Sequence, residues 1–221
     1  DRAWNRLVKV EERMGKRWTY SFSSKFGFLT ADPTHCGTAF HATVFLQLPA
    51  LIHTDAIDDY LDQNVDDSFS VTGIHANPTE IIGDVLMIQN NYTLGLSEEN
   101  IFSSVRGIAI KLQAEEMRIR ETIKNNQNAD IKDKVSRAYA ILLHSYQIEA
   151  IEALNAISLL KLGLEMKWIS GVDSETLNQL FFTCRRAHLL NQYAEKVPQE
   201  EIMHKRAEYI HQALKNIKLE I

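Results

Sequence analysis

The spacing of apolar positions changes part-way along the chain. From Trp18 to Leu94 they come in short runs and two-residue alternations punctuated by turn residues; from Ser97 onward they recur every three or four residues. Ahead of both, Trp4, Leu7, Val8, Val10 and Met14 sit at helical spacings and predict a helix over 3–14. Trp18–Phe22 alternates and predicts a strand pairing with 26–31 across a short polar turn. The polar run Asp32-Pro33-Thr34-His35-Cys36-Gly37 then forms a loop. A second strand follows, with Phe40, Ala42, Val44, Leu46 and Leu48 on one face and His41, Thr43, Phe45 and Gln47 on the other. Leu48-Pro49 reads as a break, Thr54 or Asp55 as the cap of a helix reaching Gln63, and 69–74 and 85–94 as strands around an Ala76–Thr79 loop.

In the second half, Ser97 caps a long helix with Glu98 and Glu99 in its first turn and Ile101, Val105, Ile108, Leu112, Ile119 and Ile123 on one face. After a polar connection at 125–130, helices are expected at 131–146, 149–168 and 173–190, with Gly171 and Asp173 as stop and start signals. Pro198 then occupies a first helical position. Strands first and helices later indicate an α+β fold, an antiparallel sheet flanked by helices with a helical C-terminal half. The helical half either covers a sheet face or packs on itself.

Composition narrows the classes. The chain has 221 residues, enough to bury a core as one domain, and a net charge of −5 with interspersed signs, so no nucleic-acid face is expected. Cys36 and Cys184 make no disulfide framework, and no signal peptide or apolar run of membrane-spanning length occurs; a cytoplasmic protein fits. The eight histidines lack zinc-site spacing, so no metal site is expected. Cys184-Arg185-Arg186 reads as a basic spot or, more readily, as a solvated helix end.

The loop at 32–37 gathers a carboxylate, an imidazole and a thiol between two strands, with His41 and Thr43 just beyond. This stretch resembles the ATP:guanido phosphotransferases, above all the bacterial protein-arginine kinases. Those carry a strand, a Cys-Pro-Thr-Asn loop, Gly-Thr, then Arg-Ala-Ser-Val. The likeness rests on Leu29-Thr30-Ala31, Pro33-Thr34, Gly37-Thr38, Ala42, Val44 and Leu48-Pro49-Ala50-Leu51. Further on, Gly83-Asp84, Asn90 and Thr93-Leu94-Gly95 match, as do Ala138–Leu142, Glu152–Leu154, Leu162–Leu164 and Ala187–Leu189.

The resemblance implies a guanidino-kinase catalytic domain over 1–221, with a strand-rich core carrying the substrate loops at 1–96 and a helical part at 97–221. The family's N-terminal domain and first strands, with the catalytic glutamate and several phosphate-binding arginines, are expected to precede this point. It implies transfer of the ATP γ-phosphate to protein arginine, with ATP and Mg as cofactors, or no cofactor if the chain is inactive. It implies nucleotide contacts at His41, Ala42, Thr43, Val44 and Phe45, and at Thr72, Gly73, Ile74, His75 and Ala76. Catalytic positions fall on Asp32, where the family has cysteine, and Asn77, where it has glutamate. The nucleotide-binding arginines become His41 and Thr72. An allosteric phosphoarginine motif, Arg-Asp-x-x-Arg-Ala, becomes degenerate at Ile202, Met203, Arg206 and Ala207.

Each substitution has two readings. His41 is either a half-buried strand histidine or a weakened phosphate contact, with one donor where guanidinium has five. Asp32 either makes a turn bond to the backbone or keeps a negative charge for a substrate guanidinium. Asn77 is no base, and His75 reads as a solvated loop histidine. Arg206 reads as an exposed helix arginine or a residual phosphate contact. Two functions stay open: a protein-arginine kinase with degenerate nucleotide motifs, or an inactive pseudokinase serving as a regulatory or binding module in stress-response proteolysis. Implied partners are a protein substrate, a small zinc-binding activator protein, a chaperone-protease and a second copy in a homodimer; nucleic acid and membrane are not expected.

Overall fold

The computed structural model describes residues 2–75, 77, 80–193 and 197–221. Its α-helices are α1 (Arg2–Gly15), α2 (Pro49–His53), α3 (Ile57–Asn64), α4 (Glu98–Asn126), α5 (Ala129–His144), α6 (Ala150–Glu165), α7 (Ser174–Thr183), α8 (Arg186–Leu190) and α9 (Ile202–Ala213). Its strands are β1 (Phe22–Ser23), β2 (Gly27–Phe28), β3 (Thr43–Gln47), β4 (Phe69–Gly73), β5 (Val85–Asn90), β6 (Ile169–Ser170) and β7 (Lys218–Leu219). One sheet has the order β3-β5-β4; β1 pairs with β2, and β6 with β7, both antiparallel. The fold is α+β, antiparallel sheets with flanking helices.

The chain divides into two compact units. The first comprises Asp1–Val44, Val65–Ser70 and Ile88–Ile108; the second comprises Phe45–Asn64, Val71–Met87 and Ala109–Ile221.

In the first unit, the edge of the Trp4 ring meets Phe40 with centroids 5.0 Å apart, fixing α1 to the segment before β3. Leu7, Val10 and Met14 of α1 are exposed. The β1–β2 hairpin is shorter than the alternation predicts, because only Phe22↔Phe28 and Ser23↔Gly27 pair. Phe28 exchanges backbone hydrogen bonds with Gly37 instead, its N–H donating at 2.8 Å and its carbonyl accepting at 3.1 Å. Gly37 has φ +101, and a β-carbon there would lie 2.5 Å from the Thr93 carbonyl oxygen, so only glycine fits.

The second unit holds the large core. Helix α6 supplies Ala153, Leu154, Ala156, Ile157, Leu160 and Leu162 to it, packed with α5, α7 and α9. Gly163 lets α6 approach its neighbours: a β-carbon there would meet Val135 at 2.7 Å and Ile169 at 2.9 Å. Ala50, Ile82, Val85 and Ile123 join the same cluster.

Four helical boundaries differ from the sequence reading. Pro49 does not break the chain but opens α2 at its first position, where its missing N–H costs nothing. Helix α2 lacks a side-chain cap on Leu48; the buried Glu116 takes that role, accepting from the Ala50 N–H at 3.0 Å and the Leu51 N–H at 2.8 Å. The expected helix over 173–190 is two helices, because Arg185 is extended (φ −69, ψ 148) between α7 and α8. Pro198 precedes a short 3-10 turn rather than opening α9 directly. Strand pairing of β6 with β7 leaves no signal in so short a stretch. The expected cap at Thr54 or Asp55 is not one: Thr54 closes α2, its hydroxyl donating to the Ala50 carbonyl at 2.7 Å, and α3 starts at Ile57. Two other caps follow the sequence. The Ser97 hydroxyl accepts from the Asn100 N–H at 3.2 Å, and the Asp173 carboxylate accepts from the Thr176 N–H at 2.6 Å.

Candidate functional site

Asp32 is exposed and caps the 3-10 turn Pro33–His35. Its Oδ1 accepts from the Thr34 N–H at 2.9 Å and the Thr34 hydroxyl at 2.7 Å. Those bonds favour the charged form and hold its carboxyl below the usual aspartate range, helped by neighbouring His35. The turn reading therefore holds in the geometry, while Oδ2 makes no hydrogen bond among the described residues.

His41 is half-buried and faces β5. Its Nδ1 lies 3.1 Å from the Asn90 carbonyl oxygen and 3.3 Å from Gln89 Nε2. The His35 ring stands edge-on to it at 4.8 Å. Its Nε2 is buried without a hydrogen-bond partner. Thr43, exposed, donates to Gln89 Oε1 at 3.1 Å, so Gln89 links the two strand side chains. Ala42 and Val44 are half-buried and Phe45 is exposed.

Asn90 organises this segment. Its buried amide accepts from the Ala42 N–H at 2.8 Å and donates to the Phe40 and Tyr92 carbonyls at 3.1 and 3.0 Å. Thr93 adds a bond to the Cys36 carbonyl at 2.6 Å. Sequence reading found Asn90 and Thr93 as matches but gave them no role; an amide amid apolar β5 residues is the available signal, since a buried amide must be bonded.

The other segment lies in the second unit. Thr72 on β4 is half-buried and its hydroxyl is buried without a partner. The Gly73 N–H donates to the Asn77 carbonyl at 2.9 Å, closing the turn. Ile74 packs against the core, and His75 is exposed, as expected. Ala76, a candidate nucleotide contact, lies outside the described residues. Asp32 and residues 41–44 belong to the first unit, and Phe45 and residues 72–77 to the second.

The third candidate group is on α9. Ile202 and Ala207 are buried, and the half-buried Met203 gives its carbonyl to the Ile148 N–H at 3.2 Å. Arg206 is not exposed: only 3% of its surface is accessible. Its Nε donates to the Cys184 carbonyl at 2.9 Å and its Nη1 to the Ile148 carbonyl at 2.7 Å, tying α9 to the end of α7 and the approach to α6. Burial pulls its pKa down. Among the described residues, no three His, Cys, Asp or Glu side chains come together as a metal site. No helix among them is long and apolar enough to cross a membrane.

Residues 1–119 match the family model for the ATP:guanido phosphotransferase C-terminal catalytic domain. The chain belongs to the ATP:guanido phosphotransferase family. Residues 128–220 match a second model, the protein-arginine kinase McsB C-terminal domain. Among its relatives are proteins named protein-arginine kinase. That of Halothermothrix orenii is 32% identical over 208 residues, 94% of this chain and 60% of the relative. That of Chlamydia pneumoniae is 31% identical over 222 residues, 98% of this chain and 62% of the relative. That of Caldanaerobacter subterraneus is 32% identical over 210 residues, 95% and 62% respectively. The chain thus spans about 60% of the length of these relatives.

Against the demands of this family's chemistry, the two segments are poor in charge. A triphosphate is held by preorganised cations, and a guanidinium does this best because it presents a fixed fork of donors. At position 41 stands an imidazole turned to a backbone carbonyl, and at position 72 a buried hydroxyl. These side chains do not fit a triphosphate.

Proposed function

We propose that this chain is a catalytically silent relative of the protein-arginine kinases that works as a binding or regulatory module in stress-response proteolysis. The observation that carries this reading is the commitment of His41. Its Nδ1 is at the Asn90 carbonyl and its Nε2 is buried, so neither nitrogen is held out as a phosphate donor. Losing one preorganised charged donor costs roughly 3–4 kcal/mol of transition-state stabilisation, and the Thr72 position repeats the loss. A carboxamide at Asn77 supplies no base. Such losses are not additive, yet even one of them lowers turnover by about 10²–10³.

What the site keeps is an acceptor for a guanidinium. Asp32 is exposed and its carboxyl is held in the charged form, so an arginine side chain of a client or partner protein is the ligand this module suits. Partners of the class implied by the resemblance are a small zinc-binding activator protein and a chaperone-protease. The test is phosphoarginine formation from γ-labelled ATP on a denatured acceptor protein. The natural sequence is expected to label at background, with a gain in a His41→Arg plus Thr72→Arg variant. Clear labelling by the natural sequence overturns the reading.

A further inference from the structure

A cavity of about 530 Å³ in the second unit is lined by Lys161 and Arg185 together with Phe45, Ile74, Phe181 and Phe182. Its remaining polar lining is the amides of Gln47 and Asn178, and among the described residues no carboxylate lines it. Both cations lie against one ring: the Lys161 Nζ is 5.7 Å and the Arg185 guanidinium carbon 5.4 Å from the Phe181 centroid. Arg185 is also 5.4 Å from the Phe182 centroid.

Neither cation has an acidic partner among the described residues. Lys161 Nζ donates to Gln47 Oε1, a neutral acceptor. Glu165, one turn along α6, is bonded to Arg120 instead. Arg185 has a buried Nε without a hydrogen-bond partner. Burial lowers the pKa of Lys161, the strongest influence on it, while Glu165 and Arg120 act in opposite directions. Two half-buried cations that line one cavity without an acidic partner among the described residues are costly unless an anion is meant to complete them. Sequence reading treated Arg185 as part of a solvated helix end, and the structure corrects this. Its extended backbone between α7 and α8 leaves the side chain half-buried over two phenyl rings.

We propose that this cavity is an oxyanion site for a phosphate monoester with a planar or apolar body, with Lys161 and Arg185 holding the phosphate. Phosphate suits the guanidinium fork and the lysine point charge together, since three oxygens can accept from both. The rings and Ile74 give the body of the ligand its contact surface, and the Asn178 amide adds a neutral donor, while the Gln47 amide is spent on Gly83, Ser158 and Lys161. The cation–π contacts hold both side chains against the rings. The proposal goes beyond the module reading and does not require or exclude turnover.

Calorimetric titration of the full chain with phenyl phosphate, and separately with inorganic phosphate, tests it. Phenyl phosphate is expected to bind at one site. Arg185→Gln and Lys161→Gln each weaken it about tenfold or more. Arg185→Lys, which keeps the charge but loses the fork, falls between. Arg137→Gln, which alters an exposed arginine paired with Asp133, leaves the affinity unchanged. Urea midpoints of all variants establish that they are folded. No binding of phenyl phosphate at millimolar concentration overturns the proposal, as does binding indifferent to both Arg185→Gln and Arg185→Lys. Inorganic phosphate bound as tightly as phenyl phosphate overturns the role given to the apolar lining. Phosphoarginine formation bears on the module reading alone, so the two can fail separately.

Discussion

At the scale of the residue, Asp32 carries the most testable chemistry. Its ionised form accepts two hydrogen bonds from Thr34, which is why its carboxyl sits below the ordinary aspartate value of 3.8. A depressed folded pKa adds stability that is present above the unfolded value and lost as pH falls through the folded one. Thr34→Val removes the hydroxyl donor and keeps the backbone N–H. Its Asp32 pKa is expected to rise part of the way back toward 3.8, followed by carbon-detected NMR of the carboxyl between pH 2 and about 6. An unchanged titration would mean that the hydroxyl contributes nothing. The turn itself was readable in Asp-Pro-Thr, because proline pre-sets one torsion and aspartate bonds two residues ahead. The orientation of His41 was not. Strand alternation places a side chain on a face, whereas its partner, the Asn90 carbonyl, is 49 residues away. Arg206 was readable in principle: Ile202, Arg206 and Ile210 follow at four-residue intervals, so the arginine shares the buried stripe.

Elements are positioned by a few buried polar groups that replace absent local signals. Helix α2 begins at a proline after Leu48, with no serine, threonine, aspartate or asparagine to cap it. Glu116 from α4 takes that place with both oxygens, and Arg120 one turn on balances its charge at 2.7 Å. The apolar stripe of α4 is interrupted between Leu112 and Ile119, and Glu116 fills the interruption. A charged residue in a buried stripe is the mark such a capping role leaves in a sequence. Glu116→Ala leaves two N–H groups and the Arg120 Nε without their acceptor, Arg120 keeping only Glu165, and is expected to destabilise the chain by about 3–5 kcal/mol in urea denaturation. Glu116→Gln, which keeps one acceptor oxygen, is expected to lose less. A loss under about 1 kcal/mol for the alanine variant would show that water or rearrangement satisfies the helix end. The same logic explains the false break at Pro49: proline stops a helix that precedes it and can start one that follows.

Across the whole molecule, the boundary between the two family models is not a boundary in the core. The models meet between residues 119 and 128. Yet Ala50, Ile82 and Val85, within the first match, and Ile123, between the two, pack into one cluster with the apolar residues of α5, α6, α7 and α9. Polar bonds cross it as well: the Gly83 N–H donates to Asn155 Oδ1 at 2.7 Å, and Gln47 Nε2 donates to Ser158 Oγ at 3.0 Å. The helical periodicity of the second half hid this dependence, because each helix reads as complete by itself and periodicity is silent on what covers it. A fragment of residues 128–221 therefore keeps its helices but loses part of their cover. Fully burying one valine or isoleucine side chain contributes about 1.5–3 kcal/mol, so removing these partners costs roughly 5 kcal/mol, a large share of ordinary domain stability. The fragment is expected to show helical far-ultraviolet dichroism, a urea midpoint well below that of the full chain, and binding of a hydrophobic dye. A fragment that unfolds cooperatively at the full chain's midpoint, without dye binding, would show that the helical bundle is self-sufficient and that Ile82, Val85 and Ile123 only rest on its surface.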